Sequence, residues 1–543
     1  MQAGLDEGKG NHLSRTRVFW GRSVLFAALA VAAIAMPATA VAVVQPAVPL
    51  INSGPAPSTA SYSGNPAQPN PFPTGWGAPQ NPLMAPNPVN SVHNDTWMTD
   101  DYTERAGPLG RNPRVFSAAI ERDCITLTFD SKGRLVGSCT DLPNGPGLYM
   151  LDPDTLDVLA FKQMPYVPPP AGTNPALNTT GGAYFYLDNH DRAVFATSDR
   201  RIFVVGETQQ GGEPAFKILS RYDPAPCLQP NERMPSVLPD FEGRLWFVGR
   251  QQGTVGVFDR ATRRCRSILL GEEIENSFAI ARDGAYIVTD KALYKIRTGK
   301  GLKPHIVWQA RYDNVGTMKT GQINAGSGTT PTLMIPRPRH HGNPAYVAIT
   351  DNADPMNVVV YRAADRPRMG RRVCRVPVFE KGASADENSL IAAGRSIFVE
   401  NNYGYDLLAF NDVLGNGTPI GGDLGLVSEP GISRIEIKPS GKGCRKVWTN
   451  TEVRPASVVS KGDSRNGVIY TFENARDPEV PGSDPWNWAA ISMRTGKTMW
   501  KKRAGYGGRF NNHYAGIALG APLHGKPTLY LGGVGGIMAL RDR

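Results

Sequence analysis

From residue 110 onward, short apolar runs recur in pairs, each pair joined by a tight polar turn and followed by two further apolar stretches and a longer polar loop. Alternation with a period of two, punctuated by Gly, Asp and Asn, predicts strands and hairpins. The first two strands of each unit are read as Ile125–Phe129 with Arg134–Gly137, Ala183–Leu187 with Ala193–Thr197, Ser236–Pro239 with Leu245–Gly249, and Phe278–Ala281 with Tyr286–Asp290. The series continues with Pro331–Ile335 and Tyr346–Asp351, Leu390–Ala393 and Ser396–Glu400, Ala456–Ser460 and Val468–Phe472, and Tyr514–Leu519 and Thr528–Gly532. Units spaced about 54 residues apart, each of four antiparallel strands, predict an all-β chain folded as a β-propeller of eight blades. The last unit offers only three strands before Arg543, so a strand near Val115–Ile120 is expected to close the ring and cover its edge.

The pattern differs before residue 110. Arg15, Arg17 and Arg22 precede an apolar run from Val24 to Ala35, followed by Pro37 and small residues, which reads as an export signal over residues 1–43. The alternative is an uncleaved anchor over Ser23–Val44, which would tie the chain to a membrane. Residues 44–109 are rich in Pro, Ala, Asn, Ser and Gly and are expected to form a linker. Residues 110–543 form the propeller.

Composition narrows the picture. The 59 Gly and 46 Pro disfavour helical bundles and doubly wound sheets. Six cysteines, none in a Cys-x-x-Cys, point to disulfides in an oxidising, extracytoplasmic setting rather than to zinc. Cys124 and Cys139 flank the first hairpin, Cys227 and Cys265 bracket the third unit, and Cys374 and Cys444 the sixth. Sequential pairing is one of several connectivities the six permit. The expected partner is a small molecule or, as the net charge of +11 suggests, an anionic cell-envelope component; without a basic helix or an RNA-binding aromatic signature, no nucleic acid is expected. Arg362, Arg366, Arg368, Arg371, Arg372 and Arg375 concentrate that charge in one outer hairpin.

The stretch from Ala490 through Ser492, Thr495, Gly496 and Lys497 to Trp500 resembles the repeat of the quinoprotein-like propellers. In that superfamily the Trp packs between neighbouring blades. Looser copies surround Asp152, Asp259 and Arg297–Lys300, the last followed by Trp308, with Trp448 in the same phase. The resemblance implies architecture. Pyrroloquinoline quinone (PQQ) dehydrogenases of the large eight-bladed class hold their quinone with a vicinal Cys-Cys disulfide and calcium; no two cysteines here are adjacent, so PQQ is not the expected cofactor.

In a propeller, the loop entering the first strand and the loop leaving the second open on one face around the axis. Glu275-Asn276-Ser277 and Glu387-Asn388-Ser389 occupy the same phase of units four and six, and Asp351-Asn352 leaves the second strand of unit five. Converging carboxylate and amide oxygens suit Ca²⁺ or another divalent cation, so Glu275, Asn276, Asp351, Asn352, Glu387 and Asn388 are candidate metal ligands, an arrangement that looks like that of calcium-dependent six-bladed lactonases. His513 is the candidate general base, and Thr329, Thr330, Arg454 and Asn512 are candidate ligand contacts. Equally, Asn and Glu at strand starts satisfy backbone groups near an axis. Two functions follow: a propeller that binds a ligand or partner at its channel face, or a metal-assisted hydrolase or lyase acting there on a small ester, lactone or anionic sugar.

Overall fold

A computed structural model of the chain describes residues 44–141, 144–168, 181–334, 342–406, 428–520 and 525–543. Eight antiparallel sheets of four strands follow one another along the sequence. The blades occupy residues 123–163, 186–222, 237–269, 279–311, 332–377, 391–450, 461–506 and 518–542. Each begins with its innermost strand and ends with its outermost, except that Pro113–Ala119 supplies the outer strand of blade 8, pairing with Gly536–Asp542. The expected closing strand is therefore in place, and the ring shuts by hydrogen bonds between the two ends of the fold. The eight expected hairpins are all present. Only short 3-10 turns interrupt the β-structure among the described residues.

Three innermost strands start at least three residues later than the apolar pattern suggested, that of blade 2 being Tyr186–Leu187 rather than Ala183–Leu187. In blade 7 the strand is Lys461–Asp463 rather than Ala456–Ser460, and in blade 8 it is Ala518–Gly520. A lysine at a strand start reads as a loop. Here Lys461 is 1% exposed, because Asp100 neutralises it inside the axis. Val459 instead bridges Gly516 in parallel, joining the lead-in segments of the two blades.

The blades interlock through side chains placed by their repeats. Trp308 Nε1 of blade 4 donates to Ala363 O of blade 5 (3.4 Å), and Trp448 Nε1 of blade 6 donates to Met493 O of blade 7 (3.2 Å). Trp500 is fully buried, and Gly110 at φ +84° lies against its ring so closely that a Cβ would come within 2.5 Å. In the first hairpin of blades 1 to 3, an Asp and the Arg four residues later repeat one device. Asp130, Asp188 and Asp240 each accept from the backbone N–H and the Nε of Arg134, Arg192 and Arg244, respectively, with Nε–O distances of 2.6 Å. Three disulfides join the cysteines sequentially. Cys124–Cys139 crosses the first hairpin of blade 1, whereas Cys227–Cys265 ties the end of blade 2 to blade 3, and Cys374–Cys444 ties the outer strands of blades 5 and 6.

The export signal expected over residues 1–43 lies outside the described residues. Among those described, no helix is long and apolar enough to cross a membrane. Residues 44–109, expected to be a linker, instead pack on the propeller along most of their length. Tyr62–Gly64 adds a strand to the outside of blade 7, and Asp101–Tyr102 adds one beside its innermost strand. Between them, an outer lap crosses the hairpin face: Phe72 N–H donates to Ser464 O, Asn81 Nδ2 to Pro239 O, and Ala85 N–H to Leu187 O. The chain then turns into the channel. The carbonyls of Asn90, Thr96, Trp97, Thr99 and Asp100 accept from the innermost strands of blades 2, 4, 5, 6 and 7 in turn. Proline-rich composition says that this segment cannot build a core of its own. It does not say that a ring of eight inner strands lacks partners for the backbone edges lining its axis.

Candidate functional site

Both Glu-Asn-Ser triplets lead into innermost strands, so their side chains gather at the channel face. A narrow cavity there, of about 40 Å³, is lined by Asn276, Thr330, Glu387, Asn388 and His513, all expected from sequence, together with Tyr184, Tyr514 and His93. That is space for a water or two or for one polar group, since a buried water needs roughly 10–15 Å³ of such volume.

Glu387 is the distinctive group. It is buried beside the Glu275 carboxyl and the Ile323 amide, and neither of its oxygens makes a hydrogen bond of good geometry among the described residues. Burial pushes its carboxyl well above the ordinary glutamate range, and the neighbouring charge of Glu275 pushes the same way. Glu275 lies within the field of Arg250: burial alone would lower the Arg250 guanidinium, but the charges of Glu275, Glu273 and Glu387 together raise it. The two glutamates approach each other across blade 5, from the lead-ins of blades 4 and 6.

The asparagines are held by the fold. Asn276 Nδ2 donates to Gly328 O (2.6 Å), and its oxygen accepts from the Tyr184 hydroxyl (2.7 Å). Asn388 Nδ2 donates to Val458 O (2.7 Å), with longer contacts to Glu400 and Asn402. Burial raises the Tyr184 phenol, and Glu275 and Glu387 reinforce the shift, so the hydroxyl stays protonated as a donor. His513 contacts Asp123 through Nδ1. A carboxylate on one ring nitrogen is the arrangement that orients an imidazole for proton transfer at the other.

The remaining candidates stand elsewhere. Asp351 spends both oxygens on Asn357 and one on the Ala353 amide, closing its own loop. Asn352 donates to Asn314 and to Thr317 O. Neither lines the cavity, so the six-residue metal set divides. Thr329 is bonded to Ser327 and the Thr350 amide inside blade 5, and Arg454 donates to Ser428 O. Asn512, next to His513, is fully buried, with neither side-chain amide atom hydrogen-bonded among the described residues. Among the described residues, no three of His, Cys, Asp and Glu stand together in an arrangement that would hold a metal ion. In the arginine-rich hairpin, Arg362 and Arg371 cap nearby carbonyls, Arg371 lies over the Trp308 ring (4.2 Å) and Arg375 pairs with Asp313.

No family model matches the chain. It is 27% identical over 370 residues to an uncharacterised protein of Archaeoglobus fulgidus, a match spanning 62% of this chain and 66% of that relative, a little under two thirds. Similar solved structures include a functionally unknown protein from Desulfotomaculum acetoxidans DSM 771 (8% identity, TM-score 0.38, 68% of this chain and 94% of that one). A catalytically inactive virginiamycin B lyase from Staphylococcus aureus, solved with quinupristin, is similar at 9% identity and TM-score 0.38, over 79% of this chain and 100% of that one. Likeness at that level says nothing of activity.

Sequence reasoning missed the floor of the cavity. Val92 and His93 come from the segment expected to be a linker. His93 Nδ1 meets the Ser389 hydroxyl (2.7 Å) and Asp100 (3.2 Å), its ring stacks on Tyr184 at 5.9 Å, and Nε2 is buried without a partner. Asp100 also pairs with Lys461. Burial would raise the Asp100 carboxyl, but Lys461 and His93 outweigh it and hold it below the usual range. One His in a Pro-rich stretch carries no periodic signal, and only the axial path of the chain brings it to the site.

Proposed function

We propose that the chain is an exported β-propeller that binds a small polar ligand at its channel face, inserting one hydroxyl- or amide-bearing group into the axial cavity. Glu387 carries this reading. A buried carboxyl beside a second carboxyl, with no well-formed hydrogen bond to either oxygen, costs free energy until a proton and a ligand satisfy it. Kept protonated, it donates one hydrogen bond and accepts another, while Tyr184, Thr330 and Asn388 supply further polar contacts. The volume admits the tip of a ligand rather than the whole. The cavity's own carboxyls disfavour an anionic group there, so an anionic envelope partner belongs instead to basic outer hairpins. The three disulfides support export to an oxidising compartment.

A thermal-shift panel of monosaccharides, glucuronate and γ-butyrolactone tests the reading. Stabilisation by a neutral hydroxyl ligand, lost in Glu387→Met and in Thr330→Val but kept in Glu387→Gln, supports it; equal shifts in Glu387→Met and Thr330→Val overturn it. The second reading, a divalent cation serving a hydrolase or lyase, is favoured by His93 Nε2, without a hydrogen-bond partner among the described residues, and the Glu387 carboxyl meeting at one cavity, with His513 beside them. Elemental analysis and melting with and without EDTA separate the two: bound metal and a lowered Tm select the cation.

A further inference from the structure

The other end of the channel holds a larger cavity, of about 480 Å³, between the outer lap of the N-terminal segment and its axial lap. Residues 74–78 and 87–88 form one wall, and residues 95–104 with the first hairpins of blades 5 and 6 form the other. Its size falls in the range of roughly 300–1,000 Å³ typical of sites for small organic molecules. Three carboxylates line it, those of Asp95, Asp101 and Glu104, with no Lys, Arg or His among the described lining residues. In a chain of net charge +11 that is a local inversion.

The two buried carboxylates differ in how they are used. Asp95 accepts from the Trp97 amide (2.8 Å) and the Thr99 hydroxyl (2.5 Å), which closes a local turn. Asp101 accepts from the Ser464 hydroxyl (2.5 Å) through one oxygen, while the other is buried with no hydrogen-bond partner among the described residues. Burial pushes the Asp101 carboxyl up to about 7, with Asp463 and Asp95 adding to the rise and hydrogen bonds from Ser464 opposing it. An incoming positive charge would reverse that shift. Two indoles accompany the carboxylates: Trp97, buried with Nε1 unpartnered, and Trp76, 61% exposed beside the cavity. Carboxylate and indole together recognise organic ammonium groups, by charge on one side and by the ring face on the other. A hard metal ion is a poorer match, since it takes six or more oxygens and Asp95 is already occupied.

We propose that this cavity binds a small organic cation, an ammonium or amidinium group on an apolar body, with Asp101 as counter-ion and Trp76 as an aromatic wall. The site shares no lining residue with the channel-face cavity, whose floor is Val92 and His93 of the same axial segment. The test is isothermal titration of the whole protein at pH 8 with phenethylammonium, using phenethyl alcohol as the neutral isostere. Saturable binding of the ammonium and not the alcohol is expected. Asp101→Asn is expected to weaken it about tenfold or more and Trp76→Ala about fivefold, while Glu387→Gln binds as wild type. No saturation below about 10 mM, equal binding of the alcohol, or unchanged affinity in a folded Asp101→Asn protein overturns the proposal. Should Asp101→Asn fail to fold, Trp76→Ala and the alcohol comparison decide, because Trp76 is largely exposed and its truncation leaves the packing intact.

Discussion

Replacing Glu387 by Gln should change how stability depends on pH more than it changes stability at any one pH. Glu387 and Glu275 are both buried, and the Glu387 carboxyl is held well above the glutamate range by burial and by its neighbour. Above the ordinary glutamate pKa, the unfolded chain therefore releases a proton that the folded chain keeps. The folded state then binds more protons, so the free energy of unfolding falls as pH rises until the folded carboxyl itself ionises. One retained proton gives a slope of at most about 1.4 kcal/mol per pH unit, which bounds the difference between pH 5.5 and 7.5 at about 2.7 kcal/mol. Spread over a fold of about 500 residues at roughly 2.1 cal/mol/K per residue, that is about 3 °C in Tm. Gln keeps the shape and a donor but cannot titrate. Melting scans at pH 5.5 and 7.5 should show a smaller fall in Tm in the variant than in the wild type, by up to about 3 °C. Parallel profiles would refute the reasoning, because they would mean that the Glu387 carboxyl ionises in the folded protein as it does in the unfolded chain.

Three further outcomes follow from named contacts. Lys461→Met should cost about 3–5 kcal/mol in urea denaturation, because it leaves Asp100 buried beside His93 without its cation; Asp100→Asn added to it should recover part of that loss. Asp240→Ala removes the acceptor of the Trp246 indole (2.9 Å), the Glu242 and Arg244 amides and the Arg244 guanidinium, and should cost about 2–4 kcal/mol by the same assay. Replacing Cys374 and Cys444 by Ser frees the outer strands of blades 5 and 6 and should cost about 2–4 kcal/mol, with faster hydrogen exchange in Arg372–Pro377 and Cys444–Asn450 than in blade 1.

Much of the site was legible because its residues sit at repeat positions. Glu275, Asn276, Glu387 and Asn388 precede innermost strands, and in a propeller that phase alone assigns them to the channel face. Asp351 and Asn352 shared that logic and still fell outside the cavity, because Asp351 closes its loop on Asn357, and phase does not reveal which side chain a loop keeps for itself. His93 and Lys461 were illegible for the opposite reason. Each looks like a solvated residue in a polar stretch, and each is buried only because the other elements of the axis surround it.

The sequence by itself determined the eight-bladed all-β ring, its closing strand and the face on which the paired glutamates stand, because a period-two pattern repeated eight times dictates strands, turns and the direction each loop faces. Only the tertiary structure decided what fills the ring. Residues 44–109 have the composition of a linker, yet the inner strands of several blades present unpaired backbone edges to the axis, and the nearest chain able to satisfy them is this one. That single placement supplies the cavity floor at one end, both indoles and the unpartnered carboxylate at the other, and the charge partner that lets Lys461 be buried between them.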